Sequence, residues 1–221
     1  MATEGGQRVR QARRTQAERT AATRAALLNA TLESLVSNGF GGTTTSEVAQ
    51  RAGVSPGALL HHFPAKADLL CAAVAHLLEM RRAEFRKAMA NLEPGADRVE
   101  AGIDLLWSMF SGSAFVAWLE LWGAARTDPA LAEAVISIDR EFMAASQAIF
   151  DELLAEEITA APELGRFGLG LVYALMGGLA LSRQVPGYEP LPADTVLTAF
   201  KTLVRNALLP APDGGNRHGD P

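Results

Sequence analysis

The side chains best placed to do chemistry in this 221-residue chain gather in "VSPGALLHHFPAKADLL", residues 54–70. His61 and His62 stand side by side there and supply half of all the histidine. They fit a metal poorly. Neighbours on a helix point about 100° apart, whereas one ion needs ligands that converge, as an i, i+4 pair does. Neither a cysteine nor an acid in the same short helix completes a ligand set, so no metal site is assigned. What remains is contact with an anion. His61 suits a phosphate, and so does Lys66, whose ammonium would reinforce the backbone N–H groups at a helix start. His62 reads equally well as a phosphate ligand or as a structural residue packed on the first helix. Phe63 belongs to the core.

Catalytic patterns are missing elsewhere. The chain has no G-x-S-x-G, Walker loop, H-E-x-x-H or Rossmann glycine set. His76 and Glu79 make a bare i, i+3 pair that reads as surface. Cys71 is the sole cysteine, which excludes an intrachain disulfide and any C-x-x-C motif and suits a reducing, cytoplasmic setting. No catalytic residue and no cofactor is assigned. The opening residues are rich in Arg and Gly rather than apolar, unlike a signal peptide. The longest apolar or glycine run, Phe167–Leu181, has fifteen residues and falls short of a membrane span, which makes a soluble protein the expectation.

Charge is segregated. Residues 1–66 hold eight Lys or Arg against four acids, and the rest of the chain carries a net −9. A basic head on an acidic body points to a polyanionic partner for the head, with a merely solvated arm as the alternative.

These side chains need elements to position them. Ala and Leu dominate and β-branched residues are sparse, so the class is all-α, with about nine helices. Residues 1–17 form a basic arm without apolar period. A first helix starts near Glu18, carries the stripe Ala25, Leu28, Leu32, Leu35 and Val36, and stops at Gly39 as a left-handed cap. Thr44 and Glu47 form a capping box for a helix over 45–52. Ser55 caps a third helix over 56–62 with Pro56 at its first position, and Phe63 before Pro64 ends it. Two short helices across "GVS" make a helix-turn-helix. Residues 18–66 are therefore the head and 67–209 a helical body. The body has segments at 97–112, 113–127, 128–158, 162–184 and 192–209, and 210–221 form a tail.

The stretch "ALLNATLESLVSNGFGGTTTSEVAQRAGVSPGALLHHFPAKADLL", residues 26–70, resembles the TetR family of bacterial transcriptional regulators. The resemblance is carried by "GF" after the first helix, "TTTSEVAQRAGVS" across the turn and "HHFPAKADLL" into the fourth helix. It implies a homodimer, binding of double-stranded DNA at a palindromic operator, and release by a small molecule held in the body. Thr43, Thr44, Thr45, Ser55, Pro56, Gly57, Ala58, Leu60, His61, His62 and Lys66 are the expected DNA-facing residues. Two departures stand out. The family often has a pair of tyrosines where this chain has Leu60 and His61, and Leu60 offers a thymine methyl a contact instead of bonding a phosphate. Ala65 has no oxygen to cap the fourth helix, a deficit that Asp68 can offset through the helix dipole.

In the body, "FGLGLVYALMGGLAL" is apolar on all sides and "VLTAFKTLVRNALL" carries a second stripe. Leu171, Leu175, Gly178, Phe200 and Val204 are expected at an isologous four-helix dimer interface. Trp107, Phe110, Phe115, Trp118, Trp122, Phe142, Met143, Tyr173 and Met176 are the expected effector walls, each with plain core packing as its alternative. Glu120 and Arg126 are the charges nearest to them. The reading is a ligand-responsive repressor released by a mostly apolar, aromatic or acyl, molecule, with the fourth helix as lever. Two alternatives stay open, an all-helical enzyme using the body's pocket and a constitutive DNA binder without ligand.

Overall fold

The structure is a computed structural model that describes residues 16–185, 187–188 and 192–208. The expected arm, apart from its last residues, and the expected tail lie outside the described residues. Ten helices and no strand are found among the described residues: α1 Gln16–Gly42, α2 Thr45–Arg51, α3 Pro56–His62, α4 Lys66–Ala90, α5 Arg98–Phe110, α6 Ser113–Ala125, α7 Pro129–Leu153, α8 Ala155–Ala160, α9 Pro162–Ser182 and α10 Ala193–Leu208.

The all-α expectation holds, and the starts of α2, α3 and α4 follow the capping chemistry. Thr44 accepts the Glu47 N–H at 3.2 Å and Ser55 accepts the Ala58 N–H at 3.2 Å. The fourth helix gains more than a dipole from Asp68, whose Oδ2 accepts the Ala65 N–H at 3.2 Å. Two expectations need correction. The first-helix stripe is rotated: Ala25 and Val36 are exposed, while Leu27, Leu28, Thr31, Ser34 and Leu35 are buried. The single helix expected over 128–158 breaks at Leu154 (φ −118, ψ 30), which raises the count to ten. Arg98 Nε donates to the Leu153 carbonyl at 3.3 Å, so a side chain from α5 takes an acceptor that a continuing helix would use.

Three cores organise the chain. Leu27, Leu28, Val48, Ala49, Leu59 and Phe63 meet Leu69 and Ala73 of α4 in the head. The adjoining face of α4, with Leu70, Val74 and Leu77, packs with Leu35 of α1 against Ala117, Leu121, Leu131 and Val135 of α6 and α7. Helix α4 thus belongs to two cores at once. Each buried leucine contributes about 1.5–3 kcal/mol, so the joint is stiff. The third core joins Ile103 of α5, Val172, Met176 and Leu179 of α9, and Leu197 of α10.

Helix α9 is more apolar than its fifteen-residue run suggested. By length and composition the window Gly165–Ser182, of mean hydropathy 1.3, could cross a membrane, and a third of it is buried. Buried all round it is not. Phe167, Leu171 and Leu181 are exposed, as is Leu203 of α10.

Candidate functional site

The head presents one coherent surface. On α3, Pro56, Gly57, Leu60 and His61 are exposed, at i, i+1, i+4 and i+5, while Leu59 on the opposite side is fully buried. Burying Leu59 fixes which face turns outward. A Cβ at Gly57 would meet nothing within 4 Å, so larger side chains fit there. Leu60 is 54% exposed, a large apolar group held in solvent with no core to fill. Ser55 and Thr44 stand exposed at the two helix starts, and Thr45, Ala58 and His62 are half-buried. The His62 ring lies 5.8 Å from that of His61 and 6.4 Å from that of Phe63, which suits the structural reading of His62.

Two of the expected DNA-facing residues sit differently. Thr43 is 1% exposed, its hydroxyl donating to the Gly39 carbonyl at 2.8 Å and accepting from Ser34 at 3.0 Å. It locks the bend after α1 rather than facing solvent. Lys66 turns inward, donating from Nζ to the Phe40 carbonyl at 3.0 Å and lying 4.5 Å over the Phe40 ring. Burial lowers its pKa from the ordinary lysine value.

The same Phe40 peptide is held from the other side. Its N–H donates at 2.7 Å to Glu120 Oε2 on α6. Glu120, expected to orient a ligand, instead ties the body to the end of α1, and Arg126 is exposed at the end of α6. Gly39 makes this possible. Its φ of 69 is left-handed, and a Cβ there would sit 3.0 Å from Glu120 Oε2. Phe40 is thus clamped between α4 and α6, where head and body join.

The body holds a cavity of about 930 Å³ between α4, α5, α7, α9 and α10, mostly apolar. That volume lies in the range of small-molecule sites. Of the nine expected wall residues, Phe142 and Tyr173 line it. The two rings stack at 6.0 Å, and Phe110 and then Phe115 continue the aromatic chain away from the cavity at 5.3 and 5.4 Å. Trp107, Phe110 and Met176 fill the third core instead. Trp118 packs on the α1–α4–α6–α7 core, Trp122 is 59% exposed, and Met143 is half-buried outside the lining. The three tryptophans therefore form no common wall.

Sequence reasoning missed the α4 wall: Arg81, Arg82, Phe85 and Met89. Their three- and four-residue spacing continues the stripe that passes through Leu77, and following it beyond Met80 would have found them. Burial raises the pKa of the Tyr173 phenol, against smaller opposing effects of a hydrogen bond with Ser146 and the charge of Arg82. No group of three metal-ligating side chains assembles among the described residues.

The expected dimer residues divide. Leu171 and Gly178 are exposed on α9. Leu175 and Phe200 are half-buried against the third core, and Phe200 and Val204 line the cavity. The exposed apolar stripe of α9 runs through Phe167, Leu171, Ala174, Gly178 and Leu181, and Leu203 is exposed on α10; Phe167, Leu171 and Leu203 also line the cavity.

Comparison with known proteins matches residues 27–73 to the family model described as bacterial regulatory proteins, tetR family. Residues 94–209 match the model of the BetI-type transcriptional repressor, C-terminal. The HTH-type transcriptional regulator CymR of Pseudomonas putida is 39% identical over 123 residues, 56% of this chain and 61% of that protein. An HTH-type transcriptional regulator of Mycobacterium tuberculosis is 30% identical over 131 residues, 59% of this chain and 67% of that protein. The crystal structure of a transcriptional regulator from Pseudomonas aeruginosa superposes with a TM-score of 0.61 at 26% identity, covering 92% of this chain and 98% of that one. The matches span between about three fifths and two thirds of these two curated relatives. All of these are regulators, and the enzyme reading is set aside.

Proposed function

Because this chain belongs to the TetR family of bacterial regulatory proteins, we propose that it is a DNA-binding transcriptional regulator. In this reading it is a cytoplasmic repressor that binds a palindromic operator as a homodimer and is released by a mostly apolar effector. The observation that carries the reading is the sharing of α4. Its first turn holds the Phe40 joint through Lys66, and its last three turns wall the cavity through Arg81, Arg82, Phe85 and Met89. A molecule that displaces the second end moves the first.

At the DNA end, α3 enters the major groove with Gly57 allowing close approach, Leu60 touching a thymine methyl and His61 reaching phosphate. Thr44 and Ser55 stand at helix starts beside the sugar-phosphate backbone. Few hydrogen bonds reach bases, so DNA shape carries part of the specificity. The exposed stripes of α9 and α10 pair with those of a second copy as an isologous four-helix interface. The effector then favours one spacing of the two heads by a few kcal/mol, and the operator is released.

The test is selection of bound fragments from genomic DNA followed by footprinting. The expected result is a palindrome with half-sites about 10 base pairs apart or a multiple of that. Affinity should fall steeply between low and physiological salt. A flat salt response, or selection without any shared site, contradicts the reading.

A further inference from the structure

The cavity's charge is as informative as its apolar surface. Its ionisable lining residues, tyrosine aside, are Arg81, Arg82, Arg98 and Glu163, three cations against one anion. Arg98 is partly committed, since its Nε donates to Leu153. The pair on α4 is likewise partly committed. Arg81 and Arg82 each meet one carboxylate, Glu84 and Glu79, which are i±3 neighbours on the same helix with exposed side chains. A guanidinium has five donors, so one such pairing leaves several for another acceptor. The Arg81 Nε–H is buried with no hydrogen-bond partner. A buried donor without an acceptor costs about 1–3 kcal/mol, which an entering anion relieves.

Arg82 lies near enough to Tyr173 for its charge to act on the phenol, and Tyr173 and Ser146 are hydrogen-bonded to each other. All four residues line the cavity. Arg82, Ser146 and Tyr173 therefore form a polar corner between α4, α7 and α9, with Arg81 next to Arg82 on α4; apart from Arg98, Glu163 and Asn206 the rest of the lining is mostly aromatic and aliphatic. Aromatic walls alone would also admit a quaternary ammonium, which sits well on ring faces. Two guanidiniums at the polar corner oppose that. A carboxylate matches the planar fork of arginine with two oxygens.

We infer that the effector is an organic acid whose carboxylate is held by Arg81 and Arg82 and whose apolar body fills the cavity. The inference rests on the reading that this cavity is the effector site. It gives the ligand a direct grip on α4, the helix that also holds the Phe40 joint.

Calorimetric titration of the full-length protein with dodecanoate, dodecanol and dodecyltrimethylammonium tests it, because the three share a body and differ in charge. Dodecanoate should bind at least about 10-fold more tightly than dodecanol, with the ammonium weakest. Arg82→Gln should weaken dodecanoate by about 10-fold or more and dodecanol by a much smaller factor, so that the two converge. Arg82→Lys, which keeps the charge and loses the fork, should fall between, and provides a second readout if the glutamine variant is unstable. Equal binding of acid and alcohol, or tightest binding of the ammonium, overturns the carboxylate assignment and leaves the cavity as a site. No binding by any of the three overturns both the assignment and the cavity reading.

Discussion

Head and body are built from the same helix-forming residues, yet they expose function in opposite ways. The head's reading surface is contiguous in sequence: Pro56, Gly57, Leu60 and His61 lie within one short helix whose caps and breaker are local. The body's cavity draws its residues from α4, α5, α7, α9 and α10, spread over more than a hundred positions. Local order thus encodes where the chain would meet DNA, whereas only tertiary packing encodes what it would sense.

The largest expected effect parts the two copies while sparing both the α3 surface and the cavity lining. Leu181→Asp places a charge on the α9 stripe at a position 54% exposed in the single chain and outside the cavity lining, so each subunit should still fold. Loss of dimerisation removes bivalent binding and should lower operator affinity by about 100-fold or more. Sedimentation and operator titration of the same samples check it. Monomers that keep full affinity would separate dimerisation from DNA reading.

A second comparison sharpens the boundary inside the body. Trp118→Ala should destabilise the fold by about 3 kcal/mol, because Trp118 packs on the core shared by α1, α4, α6 and α7. Phe142→Ala should cost less stability and weaken effector binding, since Phe142 is a cavity wall stacked on Tyr173. Thermal unfolding beside ligand titration distinguishes them. An effector-binding defect confined to the tryptophan variant would move the site to α6.

At the joint, Gly39→Ala forces a side chain into a left-handed backbone and against Glu120, and should cost about 1–2 kcal/mol. Its melting temperature should fall by several degrees, with the remaining folded protein still dimeric. A neutral outcome would mean that the Phe40 joint does not depend on the left-handed backbone at Gly39.

The smallest effect concerns Lys201, whose Nζ lies 2.6 Å from Asp104 and 3.5 Å from Glu100. Burial pulls its pKa down, but the hydrogen bonds and charges of these carboxylates outweigh that and leave it raised. A lysine with a raised folded pKa adds stability that is complete below its ordinary value and is lost as pH climbs through the raised one. Lys201→Met should therefore cost about 1 kcal/mol or less near neutral pH and nothing in strong alkali. Unfolding curves at the two pH values check the sign.

Much of the head was legible because capping and breaking are short-range chemistry. Thr44, Ser55 and Asp68 act on backbone groups three residues away, and Pro56 acts at its own position. The failures there were side-chain directions. Lys66 at a helix start looks like a phosphate ligand, and only the folded chain reveals the Phe40 carbonyl within its reach. In the body, aromatic density misled. Trp118 and Trp122 share a helix face in sequence, but that face divides between a core and solvent. The cavity's α4 wall starts where apolar residues give way to Arg81 and Arg82, which reads as a solvated surface until α7 and α9 close over it.

The distance between the two α3 helices of the dimer tests the central claim, that the cavity governs the head through α4. Spin labels on Leu60→Cys in a Cys71→Ser background report that distance by pulsed dipolar spectroscopy. Without ligand, the distribution should include the separation of successive major grooves, about 34–36 Å. With dodecanoate at a concentration shown by calorimetry to fill the cavity, it should shift by several ångströms, and operator affinity should fall with it. An unchanged distribution with the cavity filled would contradict the account.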